Sequence, residues 1–231
     1  MTFPFPQISP TSIKPLVSIA FTAGVLDSPT NTVHTFPSVA IGTPSSFRKV
    51  VVGLNYGPSS PEAVSVKIGG VNATLAARRI NSWAYSNAKL DLWQANVSTG
   101  TTGDIVVTLS GDAAGMKLVV WSAYSLSSTV YNTAGADGPG IAETTSLSVP
   151  INVPAGGAAL GFFMAGGTQG SSFSTTWTNL TENFDIGTTS GHSGADSVFS
   201  TQQTNLIVTA QANNVLPDGL IQLVVASWGP S

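Results

Sequence analysis

The chain has 231 residues, of which 42% are hydrophobic, 8% are charged and none is cysteine. Intrinsic disorder is excluded, because it needs low hydrophobicity and high charge, and so are a disulfide framework, a thiol nucleophile and a thiolate metal site. All eight basic residues lie at or before Lys117, leaving the first half at +3 and the remainder at −6, so the dense basic footprint that nucleic acid requires is missing.

Residues 1–15 carry Pro4, Pro6, Pro10 and Pro15. Proline fixes φ and cannot donate to a sheet ladder, so this segment reads as an extended arm lying along a surface. Phe3, Pro4, Phe5, Pro6, Ile8 and Pro10 are its candidate attachment residues. MTFPFPQISP has no basic stretch leading into an apolar run, so it is not read as a secretory leader. Synthesis in the cytoplasm is the expectation, and no apolar stretch is long enough for a membrane-spanning helix.

From Leu16 onward strand-like runs follow one another: 16–26, 32–41, 47–56, 63–69, 73–80, 88–97, 104–110 and 116–126. They continue at 145–153, 158–167, 174–180, 181–186, 192–200, 205–213 and 219–228. Most alternate apolar with polar at period two, as in Val64-Val66-Ile68, which puts one face on a core. Others, such as VVVGL (50–54) and LVVW (118–121), are continuously apolar, as central strands are. Turn signals separate them: IGGVN, STGTTGD, VPAGG and LPDG. No window of a dozen residues shows a helical period with caps.

The expected fold is therefore all-β, a two-sheet jelly-roll-like sandwich spanning 16–231. Residues 128–143 are the one place where a linker could divide the chain into two small sandwiches. DIVVTLS/AALGFFMAG and NVSTGTTG/NVPAGG echo each other only as generic strand and turn patterns, not as a repeat. A single sandwich, with 128–143 as a long crossover between its sheets, is the expectation. Trp93, Trp121 and Trp228 continue apolar strands and belong in its core.

Catalytic signatures are weak. No paired carboxylates sit in a local motif of the kind a glycosidase uses, and no G-x-S-x-G elbow precedes a helix. His192, Asp196 and a serine could be composed into a triad, but so many serines make that match uninformative. Glu182, Asp185 and Asp196 are the only acids close enough to suggest calcium, without the spacing of a calcium loop. The reading is of a protein that binds or builds and does not catalyse, with no cofactor and no metal.

Aromatic residues in polar surroundings offer a better hint. Trp83 and Tyr85 in INSWAYSNA, and Trp177 in SSFSTTWTNLTEN, could stack on sugar rings while neighbouring Asn, Thr and Ser bind hydroxyls. Anchoring of loops onto the core is the competing role for these three side chains.

SVAIGTPSSFRKVVVGLNY, VKIGGVNATL and LDLWQANVSTGTTGDIVVTLSG resemble phage-encoded and prophage-encoded β-sandwich virion proteins. So do TSLSVPINVPAGGAALGFFMAGG, TTWTNLTENFD, HSGADSVFSTQQTNLIVTA and the ending VVASWGP. The likeness runs from about Thr32 to Pro230, and its motifs specify fold more than role. It implies a component of a tailed-phage particle or a related gene-transfer particle, as a head decoration or fibre or part of a tail fibre. Its location would then be the virion, released by lysis. Its expected partners are other virion proteins and itself, as a homotrimer. Low charge also favours self-association, and host surface polysaccharide is the alternative partner of a lectin-like module.

Overall fold

The computed structural model describes residues 16–57, 61–81, 88–113, 115–139, 144–166, 173–187, 190–213 and 219–231, and among them every regular element is a β-strand. Strands are numbered in chain order. In the first half, β1 (Ser18–Ser28), β9 (Met116–Tyr124), β3 (Arg48–Tyr56), β7 (Lys89–Asn96) and β6 (Thr74–Ile80) form one antiparallel sheet in that order. Facing it is a sheet ordered β2 (Asn31–Ala40), β8 (Thr102–Ala113), β4 (Ala63–Ile68) and β5 (Val71–Asn72). Gly69 and Gly70, with φ of 55° and 80°, make the tight turn between β4 and β5, a conformation that only glycine adopts without strain.

The second half repeats this plan. Its larger sheet runs β10 (Asn132–Pro139), β17 (Leu220–Trp228), β12 (Ala158–Gly166), β15 (Ser190–Val198) and β14 (Thr181–Ile186). Its smaller sheet runs β11 (Thr144–Val153), β16 (Gln203–Asn213) and β13 (Ser174–Thr178). Strand for strand, 1-9-3-7-6 becomes 10-17-12-15-14, and 2-8-4 becomes 11-16-13. Each half is a jelly-roll-type sandwich of its own.

The all-β sandwich expected from sequence is therefore present, but with four sheets where two were expected. The layers stack as smaller, larger, larger, smaller, with three cores between them. Phe36, Val50, Val52, Leu54, Ile105 and Val120 fill the first sandwich. Val149, Phe163, Val208, Leu223 and Val225 fill the second. Val51, Leu92, Trp121, Leu160, Phe162 and Trp228 form a third core where the two larger sheets meet. Trp93, Trp121 and Trp228 are all buried, as the apolar runs around them require.

Nor is 128–143 a bare crossover. It contains β10, paired with β17 over eight residues, and β10 opens the second sandwich as β1 opens the first. Its sequence, NTAGADGP, lacks the β-branched and aromatic residues that mark strands. The backbone of β17 supplies the pairing, so side chains leave little trace. The two-residue β5 is equally invisible in sequence, and the first strand begins at Ser18 instead of Leu16.

A true repeat does exist, at positions the sequence echoes did not mark. Leu118-Val119-Val120 in β9 and Leu223-Val224-Val225 in β17 occupy equivalent places. Each is followed two residues later by a buried serine, Ser122 or Ser227. DIVVTLS and AALGFFMAG fall on β8 and β12, which are not equivalent strands.

Candidate functional site

Antiparallel strands place alternate connections at opposite ends of the molecule. β1, β3 and β6 finish, and β7 and β9 begin, at one end of the molecule, and the corresponding strand ends of the second half lie beside them. Gln222, early in β17, donates to Ala88 O and Arg79 O of the first half, and Arg79 pairs with Asp137. At the opposite end Trp228 Nε1 donates to Gln94 Oε1 at 2.8 Å, and Ser231 N donates to Ser125 O. The two halves are thus side by side and point the same way. Leu16, 90% exposed, stands at the end where the chain also finishes.

Of the sequence-predicted site residues, Trp177 alone is among the described ones. Trp83 and Tyr85 lie outside the described residues, in the β6–β7 connection. Trp177 lies in the small sheet of the other half, with its six-membered ring over Gly161 and its Nε1 donating to Ser193 Oγ at 2.8 Å. It packs on the second core, so its indole serves as an anchor there. The arm residues Phe3, Pro4, Phe5, Pro6, Ile8 and Pro10 also lie outside the described residues.

His192 is buried on Phe162, with Nε2 3.1 Å from Asn55 Oδ1, and is committed to the inter-sheet core. Asp185 Oδ2 accepts from Thr175 N, while burial, then the neighbouring Asp185, pushes the Glu182 carboxyl up. Asp196 is instead hydrogen-bonded by Asn183, with burial pushing its carboxyl up to about 6. Among the described residues no group of three His, Cys, Asp or Glu side chains is arranged to hold a metal ion.

Charges that sequence alone would place on the surface are inside. Arg48 and Lys49 are both buried at the start of β3. Arg78 Nε and Nη2 clasp Asp91 at 2.7 and 2.8 Å, while Tyr56 Oη and Trp93 Nε1 donate to the same carboxylate. Burial, then the negative charge of Asp91, pushes the Tyr56 phenol well above its usual range.

Lys49 is 2% exposed; its Nζ donates to Gln94 Oε1 at 2.8 Å and to Ser128 O at 3.3 Å. Desolvation lowers its ammonium from 10.5 to about 8. Since the unfolded chain keeps that proton longer, stability rises as pH increases from about 8 toward 10.5. Between pH ~7.5 and ~9.5 this group alone contributes about 2 kcal/mol. Denaturant midpoints across that window are expected to rise more steeply in the native protein than in Lys49→Met, where only the smaller contribution of the buried Lys89 remains. Equal slopes in the two would place the titration elsewhere.

Two grooves open along the seams between the halves. Where β6 meets the start of β10, adjoining clefts of about 530 and 290 Å³ share Thr74, Gln94 and Ser128. In the opposite seam, where β1 begins, a cleft of about 580 Å³ is walled by Leu16, Val17, Val198, Phe199 and Pro230. No protein-family model matches this chain, and no curated protein matches it in sequence.

Proposed function

We propose that this chain is a structural subunit on the exterior of a tailed-phage or phage-like particle, serving as a head decoration or fibre or as a tail-fibre component. It docks through residues 1–15. The observation that carries the reading is the polarity of the molecule. Leu16, highly exposed, stands beside an apolar cleft at one end, whereas β1, β3, β6, β10, β12 and β14 all finish at the other. A subunit held by its arm would present that other end outward. The likeness of the strand and turn motifs to phage virion proteins supports the same reading. A surface of hydroxyls, amides and few charges suits a subunit repeated many times, since it associates with little electrostatic penalty. The arm would add to a neighbour's sheet edge or lie in its groove.

Deletion of residues 2–15 tests this. The expected outcome is a melting temperature unchanged within about 2 °C, far less than the shift caused by losing a core element, together with loss of incorporation into particles. A truncated protein that still incorporates overturns arm docking. One that no longer folds shows that the segment belongs to the core.

A further inference from the structure

We infer that the seam groove between β6 and the start of β10 is a binding site for a neutral polysaccharide, with Tyr131 as its stacking platform. The inference rests on the chemistry of the groove and not on how the protein is attached to a particle.

Tyr131 is 54% exposed, yet its backbone is pinned, because its N–H donates to Ser227 O at 2.8 Å. A half-exposed aromatic ring on a fixed backbone offers an apolar face at little entropic cost. Around it the groove presents short amide and hydroxyl side chains: Asn72, Thr74, Asn96, Thr129, Asn132 and Thr133. Such groups donate and accept, as sugar hydroxyls do.

The floor is preorganised. Gln94 Oε1 accepts from both Lys49 Nζ and Trp228 Nε1 at 2.8 Å, and Gln94 Nε2 donates to Ser128 O. Asn132 Oδ1 accepts from Asn152 N at 3.0 Å. These hydrogen bonds fix the groove before any ligand arrives, which removes much of the ordering cost of binding.

Charge selects the ligand class. Among the described residues no carboxylate lines the groove, and the one cation there, Lys49, is buried and already hydrogen-bonded to Gln94 and Ser128. Neither an acidic nor a basic polymer finds an opposite charge there. A hydroxyl-rich neutral chain finds both its apolar faces and its hydroxyls matched.

The opposite seam shows that this chemistry is not forced by the fold. The two halves are related by an approximate two-fold, so the cleft beside β1 stands in the equivalent place. There Val17, Val198, Phe199 and Pro230 replace the amides. The same architecture carries an apolar wall in one seam and a polar, aromatic one in the other.

The test uses the purified full chain and a panel of neutral hexasaccharides: α- and β-linked glucans, a mannan and a galactan. Saturation-transfer NMR and calorimetry read binding. At least one is expected to bind, with Tyr131→Ala weakening it about tenfold or more, as loss of an aromatic anchor does. Tyr131→Phe keeps the ring and is expected to stay within about threefold of the native protein. Asn72→Ala, on an exposed side chain, weakens binding without changing the melting curve. Raising salt to about 1 M leaves the affinity unchanged, since no charge is involved. Absence of binding by every sugar at about 5 mM overturns the site, as does binding that Tyr131→Ala leaves intact. Preference for an acidic oligosaccharide, lost in salt, overturns the neutral class. Particle incorporation does not enter this assay, so its failure and that of arm docking are separate results.

Discussion

Arg48→Met is expected to lower the unfolding free energy by about 3–5 kcal/mol, the cost of stripping a buried charged donor from its acceptors. Arg48 is almost wholly buried, and among the described residues no carboxylate pairs with it. Its Nε donates to Val97 O at 2.6 Å and its Nη2 to Thr99 O at 2.6 Å, while its Nη1 reaches both Gly42 O at 2.6 Å and Gly100 O at 2.8 Å. One planar guanidinium thus gathers four carbonyls from two connections, β2–β3 and β7–β8; Val97 is buried and Gly42 half-buried, whereas Thr99 and Gly100 are exposed. Methionine fills the space and leaves the shielded acceptors of Val97 and Gly42 unpaired. Lysine retains the charge but is a point donor on a flexible stem, so Arg48→Lys is expected to recover less than half the loss, leaving about 2–3 kcal/mol. Chemical denaturation gives both numbers. Hydrogen exchange should locate the damage, with faster exchange at Gly100 and Thr101 and none added in the second half. A loss below about 1 kcal/mol for the methionine variant would mean that water satisfies those carbonyls equally well.

Most strands were legible in sequence because period-two patterning and turn residues mark them directly. The layer count was also written there, in a form that is easy to misread. A strand in a two-sheet sandwich buries one face and should alternate, as β2 and β8 do. VVVGL in β3, LVVW in β9 and ALGFFMA in β12 do not alternate, and their strands are buried on both faces. Three such runs demand sheets sandwiched between other sheets, which two layers cannot provide. The low charge has the same origin in part, since two of the four sheets have no face left for solvent. The strand β10 left no signal, because its pairing comes from backbone alone. The groove was illegible for a different reason. Tyr131, Asn72 and Asn96 are separated by more than twenty residues or fall in turns, and only the meeting of two edge strands brings them to one place. Trp177 was conspicuous in a polar stretch, yet its ring covers Gly161, a close approach that sequence cannot show. No local pattern around Arg48 and Lys49 marks the four carbonyls or the glutamine that hold them inside.

Trp121→Ala is expected to be the most damaging single truncation, costing about 4–5 kcal/mol, the upper part of the range for large aromatic deletions. The indole is fully buried at the junction of the halves. It meets Phe21 and Phe162 edge-on, at centroid distances of 6.0 and 6.1 Å, and Phe184 at 5.9 Å. Phe21 comes from the first half, Phe162 and Phe184 from the second, so this ring joins the two sandwiches. Its Nε1 donates to Asn183 Oδ1 at 2.9 Å, and alanine would leave that acceptor unpaired as well as opening a cavity. Gly194 explains why the ring fits. A Cβ there would stand 2.4 Å from Phe184 Cε1 and 2.5 Å from Trp121 Cζ2, so Gly194→Ala is expected to strain the Trp121–Phe184 contact from the other side, and Phe184 can retreat only into space that Trp121 vacates. Trp121→Ala combined with Gly194→Ala should therefore cost less than the sum of the two, because the cavity relieves the clash. Matching denaturation curves for the four proteins measure that coupling. Strict additivity would show that the two residues do not share the space, and a Trp121→Ala loss below about 1 kcal/mol would remove the third core as the element joining the halves.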